Sequence, residues 1–128
     1  MSTPSPLRSA PPAAPRTPDE LSTQLVDRLT ARDVDGVVAL YEPTAVLELP
    51  DGRVAVGHDD IRDFYTHALA AHRPVRAGIP RRPLVRGDLA LTTTVLPMSA
   101  GAGGATCEVA RRQPDGTWRW IIDRPTVR

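Results

Sequence analysis

The sequence predicts an α+β domain in which one curved, largely antiparallel sheet wraps around three helices. Three observations predict it. Two stretches with helical spacing of apolar residues open the domain, a short strand pair and a third helix follow, and beyond Pro74 the pattern changes to period two. The order along the chain is α-α-β-β-α-β-β-β-β.

Thr17 or Asp19 is placed to cap a first helix in which Leu21, Leu25, Val26 and Leu29 recur at helical spacing, ending near Ala31 or Arg32. Asp33 opens a second helix, DVDGVVALY, with Val34, Val37, Val38 and Tyr41 on one stripe. Pro43, which lacks an N–H, stops it. Ala45, Leu47 and Leu49 then alternate with Val46 and Glu48 as a strand, Asp51-Gly52 makes a hairpin turn, and Val54 and Val56 begin the return strand. Gly57 leads into HDDIRDFYTHALAAH, where Asp59 and Asp60 suit a helix N-terminus and Ile61, Phe64, Tyr65, Ala68 and Leu69 form the buried stripe. Strand candidates cover 75–86, 88–98, 104–113 and 117–127. Turns at Arg86-Gly87-Asp88, Ser99 to Gly103 and Pro114-Asp115-Gly116 separate them.

A chain of 128 residues, 41% of them apolar, is the size of one domain with a core of its own. Its start, MSTPSPLRSAPPAAPRTP, is too rich in proline and small residues to offset chain entropy by burial, so residues 1–18 read as a disordered tail and 19–128 as a single domain. The tail holds no apolar run suited to a signal sequence or a membrane span. With 16 basic and 15 acidic residues, the net charge of +1 offers no field for nucleic acid or an anionic membrane and favours small neutral or weakly charged partners; the substrate is expected to be mostly apolar. The single cysteine, Cys107, excludes an internal disulfide and fits a reducing cytoplasm. No Cys/His cluster, phosphate loop, dinucleotide fingerprint or nucleophile triad is present, so neither metal nor cofactor is expected.

The order of elements, with ARDVDGVVALYEPTAVLELP, the helix start GHDDIRDFY and EVARRQPDGTWRWIIDRP, resembles the nuclear transport factor 2-like (NTF2-like) superfamily from about Leu21 to Val127, in particular its ketosteroid-isomerase and SnoaL-type polyketide-cyclase branches. The resemblance implies a cone of sheet and helices around a pocket open at one end. It also implies functions ranging from isomerases, cyclases, dehydratases and epoxide hydrolases to plain ligand binding. Laid onto ketosteroid isomerases, the base position falls on Leu49 and the oxyanion tyrosine on Leu25, so the standard steroid reaction is not expected. Tyr41 and Tyr65 fall on the supporting tyrosines, Glu108 on the protonated acid and Asp123 on a cavity-lining position. SnoaL-type cyclases resemble this arrangement in carrying their acid on a late strand.

Asp123 follows two isoleucines, and a charge in such a strand is costly to bury without a partner. An ion pair with an arginine or solvation at the strand end is the alternative. Glu108 alternates with Val109 and shares a face with Thr106 and Ala110; it points into a pocket or outward to solvent. If both acids point inward, repulsion raises one pKa and sets a general acid beside a general base. Tyr65 is a hydroxyl donor to a ligand or a core aromatic with a satisfied tip.

The reading is a cofactor-independent small-molecule enzyme that isomerises, cyclises or dehydrates a polyketide-like or related secondary metabolite. Asp123 serves as base, Glu108 and Tyr65 stabilise an enolate or protonate oxygen, and Leu25, Tyr41, Leu47, Leu49, Phe64 and Ile121 form the substrate wall. A non-catalytic binding or accessory protein is the alternative, and an epoxide hydrolase a lesser one. By simple alternation Trp118 and Trp120 share the face opposite Asp123, where two exposed indoles suit a homodimer through the outer sheet face.

Overall fold

The computed structural model describes residues 13–75, 77–97 and 103–127. In chain order they form α1 (Glu20–Thr30), α2 (Val34–Val38), β1 (Tyr41–Glu48), β2 (Val54–Val56), α3 (Gly57–Ala70), β3 (Ile79–Pro80), β4 (Leu84–Arg86), β5 (Leu89–Thr92), β6 (Thr94–Val95), β7 (Ala105–Arg112) and β8 (Trp118–Val127). The fold is α+β, with the strands in one mixed sheet of order β2-β1-β8-β7-β5-β4 and with β6 pairing both β3 and β7. Only β1 and β8 run parallel among the described pairs.

The helices bury the stripes their spacing predicts. Leu21 of α1, Val37 and Val38 of α2, and Ile61, Tyr65 and Leu69 of α3 pack with Leu40, Tyr41, Leu47 and Trp120 of the sheet side. Asp33 caps α2 by accepting from the Gly36 N–H. At α1 neither Thr17 nor Asp19 caps with its side chain; Glu20 instead reaches back to the Arg16 N–H. The stretch expected to be loose up to Pro18 packs from Ala13 onward. Pro15 and Pro18 are buried, and the Pro15 carbonyl accepts from Trp118 N–H at 2.9 Å. Arg28 binds this segment to the helices, donating to the carbonyls of Ala13 and Gly36 and to Gln24 Oε1.

Two boundaries differ from the sequence reading. β1 begins at Tyr41, two residues before the proline expected to end α2, and Pro43 sits where the β1–β8 register shifts between Tyr41 and Val46. There its missing N–H interrupts no regular ladder. The strand candidates at 75–86 and 88–98 are each broken in two, the first by the Arg81-Arg82-Pro83 stretch. The turn expected at 99–103 falls mostly outside the described residues.

The largest difference lies in β8. Ala110 pairs with Trp120 and Val109 with Ile122, so Ile121 is an extra residue on β8, a β-bulge. A bulge reverses the alternation beyond it. Trp118 and Trp120 therefore face inward, 5% and 0% exposed, instead of lying on the outer face, and Asp123 faces inward as well.

Candidate functional site

Registration across the sheet brings the two suspected acids together. Asp123 on β8 lies directly opposite Glu108 on β7 and beside Leu47 on β1, and directly opposed residues share a face. Both acids are buried, at 6% and 5% exposure. Among the described residues neither forms an ion pair; Arg124 pairs with Glu48 and Arg111 with Glu42.

Hydrogen bonds fix the two carboxyls differently. Tyr41, at the start of β1, donates its hydroxyl to Asp123 Oδ2 at 2.5 Å, and the Tyr65 hydroxyl on α3 is 2.8 Å from that of Tyr41. With the Tyr41 proton on Asp123, Tyr65 is the donor of the second bond. A chain thus runs from Tyr65 through Tyr41 to Asp123. The Tyr41 carbonyl is 2.7 Å from His58 Nε2, which anchors its backbone to the start of α3. Glu108 is held by Thr106, whose Oγ1 lies 2.9 and 3.1 Å from the two carboxyl oxygens. Thr106 Oγ1 accepts from the Thr94 N–H at 3.0 Å, leaving its own proton for the carboxyl.

Burial sets the protonation of this cluster. Loss of water pushes the Glu108 carboxyl up to about 8, the negative charge of Asp123 adding to the rise and the Thr106 bond opposing it. Burial likewise pushes Asp123 up to about 7, against the bond from Tyr41. The pair therefore retains a proton near neutral pH that two surface acids would lose. Burial and the nearby acids raise both tyrosines, which stay neutral donors.

Glu108 opens on a cavity of about 270 Å³ beneath α1. Leu25 and Val26 of α1, Ala77, Gly78 and Pro80 around β3, Thr94, Leu96, Thr106 and Trp120 line it, with Ser22, Thr23 and Asp27 also contributing. The backbone is tight at Gly78, where an added Cβ would collide with the Val95 carbonyl oxygen. The indole of Trp120 is fixed by its Nε1–H to Thr92 Oγ1 at 3.2 Å and by packing on Tyr41.

The predicted site residues are thus divided. Glu108 and Leu25 line the cavity. Asp123 and Tyr65 belong to the buried network beside it and are not among the lining residues. Tyr41 and Leu47 are fully buried core, so they form no exposed substrate wall. Leu49, in the β1–β2 hairpin, and Phe64, on α3, instead line a separate open groove of about 540 Å³ between those two elements. Ile121 is the half-buried bulge residue and reaches neither hollow. Trp120 and Thr106 were missed; Thr106 was legible, since it lies two residues from Glu108 on the same strand face.

Among the described residues no three His, Cys, Asp or Glu side chains cluster as a metal site, and no helix is long and apolar enough to cross a membrane.

Three helices on a curved mixed sheet, with a cavity between them, define an NTF2-like protein. A family model described as a SnoaL-like domain matches residues 23–122, and the chain belongs to that family. No curated protein matches it. Among solved structures, it is similar to a domain of unknown function with a cystatin-like fold from Nostoc punctiforme (TM-score 0.69, 19% identity, covering 86% of this chain and 75% of that one). An NTF2-like protein with a cystatin-like fold from Novosphingobium aromaticivorans is also similar (0.62, 19%, 82% and 75%). So is a ketosteroid isomerase-like protein from Erwinia carotovora (0.60, 19%, 81% and 88%). At these identities the likeness is one of fold.

Proposed function

We propose that the protein is a cofactor-independent enzyme that moves a proton on a small organic molecule, giving isomerisation, cyclisation or dehydration. The observation that carries this reading is the Glu108–Asp123 pair, buried side by side with no ion pair among the described residues and raised to about 8 and 7 beside a cavity. Such values suit general acid–base work at neutral pH. The roles differ from those read in the sequence. Glu108, which faces the cavity, exchanges the proton with substrate, and Asp123, held by Tyr41 and Tyr65, is its positioning partner. With the shared proton on Asp123, the Glu108 carboxylate removes a proton from a carbon next to a carbonyl, and the resulting enolate takes that proton back at another carbon. With the proton on Glu108, it protonates a hydroxyl that leaves as water, and the carboxylate so formed takes the proton of the adjacent carbon as the double bond forms, which restores the acid. The resemblance to SnoaL-type cyclases adds a polyketide-like or related metabolite as the substrate type.

The test is deuterium uptake from D₂O into small enolisable ketones, followed by NMR. The wild type accelerates uptake, and Glu108→Gln removes roughly 10²- to 10⁴-fold of it, the usual range for one acid–base group. Ligand binding without any uptake by the wild type would establish the alternative, a non-catalytic binding protein, which the apolar Leu25 at the family's tyrosine position favours.

The partner we propose is a second copy of the chain, with a different surface from the two tryptophans. Register places Val56, Val46, Ile122, Val109, Leu91 and Leu84 in one line across six strands on the outer face. Leu84 is 70% and Ile122 50% exposed. At about 4.8 Å per strand the line spans roughly 24 Å. With its neighbours it covers on the order of 500 Å² per copy, near the lower bound for a specific dimer. Sedimentation of the wild type as a dimer and of Ile122→Glu as a folded monomer supports it; a monomeric wild type overturns it.

A further inference from the structure

We infer that the Glu108 cavity takes a compact, uncharged or cationic molecule of about one ring, and discriminates against anions. This rests on the reading of that cavity as the active site and names the class of substrate it admits. Three features carry it.

The first is size. A volume of about 270 Å³ lies just under the roughly 300–1,000 Å³ of ordinary small-molecule sites. At ~30 Å³ of liquid volume per water it has room for about nine waters, so a ligand of on the order of ten non-hydrogen atoms fills it. A tetracyclic skeleton must leave most of itself in solvent, where exposed Thr23 and Asp27 form the rim.

The second is charge. The ionisable residues lining the cavity, among the described residues, are the acids Glu108 and Asp27. Arg28, next to Asp27, turns its guanidinium to Gly36, Gln24 and Ala13 instead. Asp123 stands directly behind the cavity beside Glu108. A carboxylate or phosphate entering here meets the like charge of these acids while losing its own water.

The third is the wall. Leu25 and Val26 offer partly exposed apolar surface suited to an uncharged ring, and the fully buried Trp120 belongs to the same lining. Glu108 and Thr106, hydrogen-bonded to one another, form one small polar spot, enough for a single carbonyl, hydroxyl or amine on the ligand.

The test uses the full chain and three probes of nearly equal size: benzyl alcohol, benzylamine and benzoate, with a tetracyclic steroid for size. Binding is read from the indole N–H NMR signal of Trp120, assigned with Trp118→Phe, which also locates the ligand. At neutral pH the alcohol and the amine bind, benzoate binds at least ~10-fold more weakly, equivalent to about 1.4 kcal/mol, and the steroid leaves the signal unmoved. Raising the pH from about 6 to about 8.5 ionises the acid pair, so amine binding tightens and benzoate binding weakens. Benzoate binding as tightly as benzyl alcohol, or steroid binding that moves the Trp120 signal, overturns the inference and leaves proton transfer by Glu108 standing. If none of the four moves the signal, the inference and the reading of this cavity as the active site fall together.

Discussion

The two faces of one sheet carry opposite arrangements. The outer face exposes a line of aliphatic side chains, and two arginines near it are paired, Arg124 to Glu48 at 3.3 Å and Arg111 to Glu42 at 2.9 Å. The inner face buries two carboxyls, and among the described residues neither forms an ion pair. A sheet built for stability alone would exchange the two, placing aliphatics inside and acids in water. The outer arrangement suits a surface that meets a partner. The inner one costs folding energy, a cost that the proposed proton transfer by Glu108 would account for.

The comparison breaks most visibly at Trp120, which supports the inner face. Trp120→Ala removes a fully buried indole and is expected to destabilise by about 3–5 kcal/mol in denaturant melts. Outer-face Ile122→Ala costs far less in a monomer, since half of that side chain is already in water.

Next comes pH. The folded values of Glu108 and Asp123 lie above those of free carboxyls, so the folded chain binds protons more tightly than the unfolded one. Their contribution to stability is full below about pH 4 and is lost as the pH rises through about 7 and 8. Glu108→Gln removes much of this loss and is expected to be the more stable protein near pH 9, by on the order of a few kcal/mol, though inactive. Melts of both proteins across pH check it.

Tyr41→Phe tests the hydroxyl chain. It takes the donor from Asp123 and the acceptor from Tyr65, at a cost of about 1–3 kcal/mol, and lets the Asp123 carboxyl rise further, which NMR titration reads. The smallest effect belongs to the outer face. Arg124→Ala breaks a solvent-exposed ion pair and is expected to shift stability by ~0–1 kcal/mol, with the remainder screened by salt.

The helices, the Asp51-Gly52 turn and the period-two second half were legible because each repeats or punctuates locally. Glu108 and Asp123 were legible as candidates, Asp123 because a charge after two isoleucines is costly to bury, while the sequence leaves their inward orientation open against solvation or an ion pair. The faces of the tryptophans were not. Ile121 is β-branched like its neighbours, and no glycine or proline marks the bulge it forms, so alternation continued through it sends Trp118 and Trp120 outward and Ile121 into the cavity. One extra residue accounts for both corrections. The separation of Leu49 and Phe64 from Leu25 had a different cause: it depends on where the β1–β2 hairpin settles against α3, a long-range matter without local signal. The hydroxyl chain likewise joins residues 24 and 82 positions apart.

The central claim is that the inner face holds a desolvated acid pair sharing a proton near neutral pH. Carbon-13 NMR titration of the Glu108 and Asp123 carboxyls tests it most directly, with Glu108→Gln and Asp123→Asn for assignment. The account predicts two coupled, broad transitions well above the free range, near 8 and 7, with Glu108 falling when Asp123→Asn removes the neighbouring charge. Two independent transitions near the ~4 of a free carboxyl would contradict it, and the proposed catalysis with it.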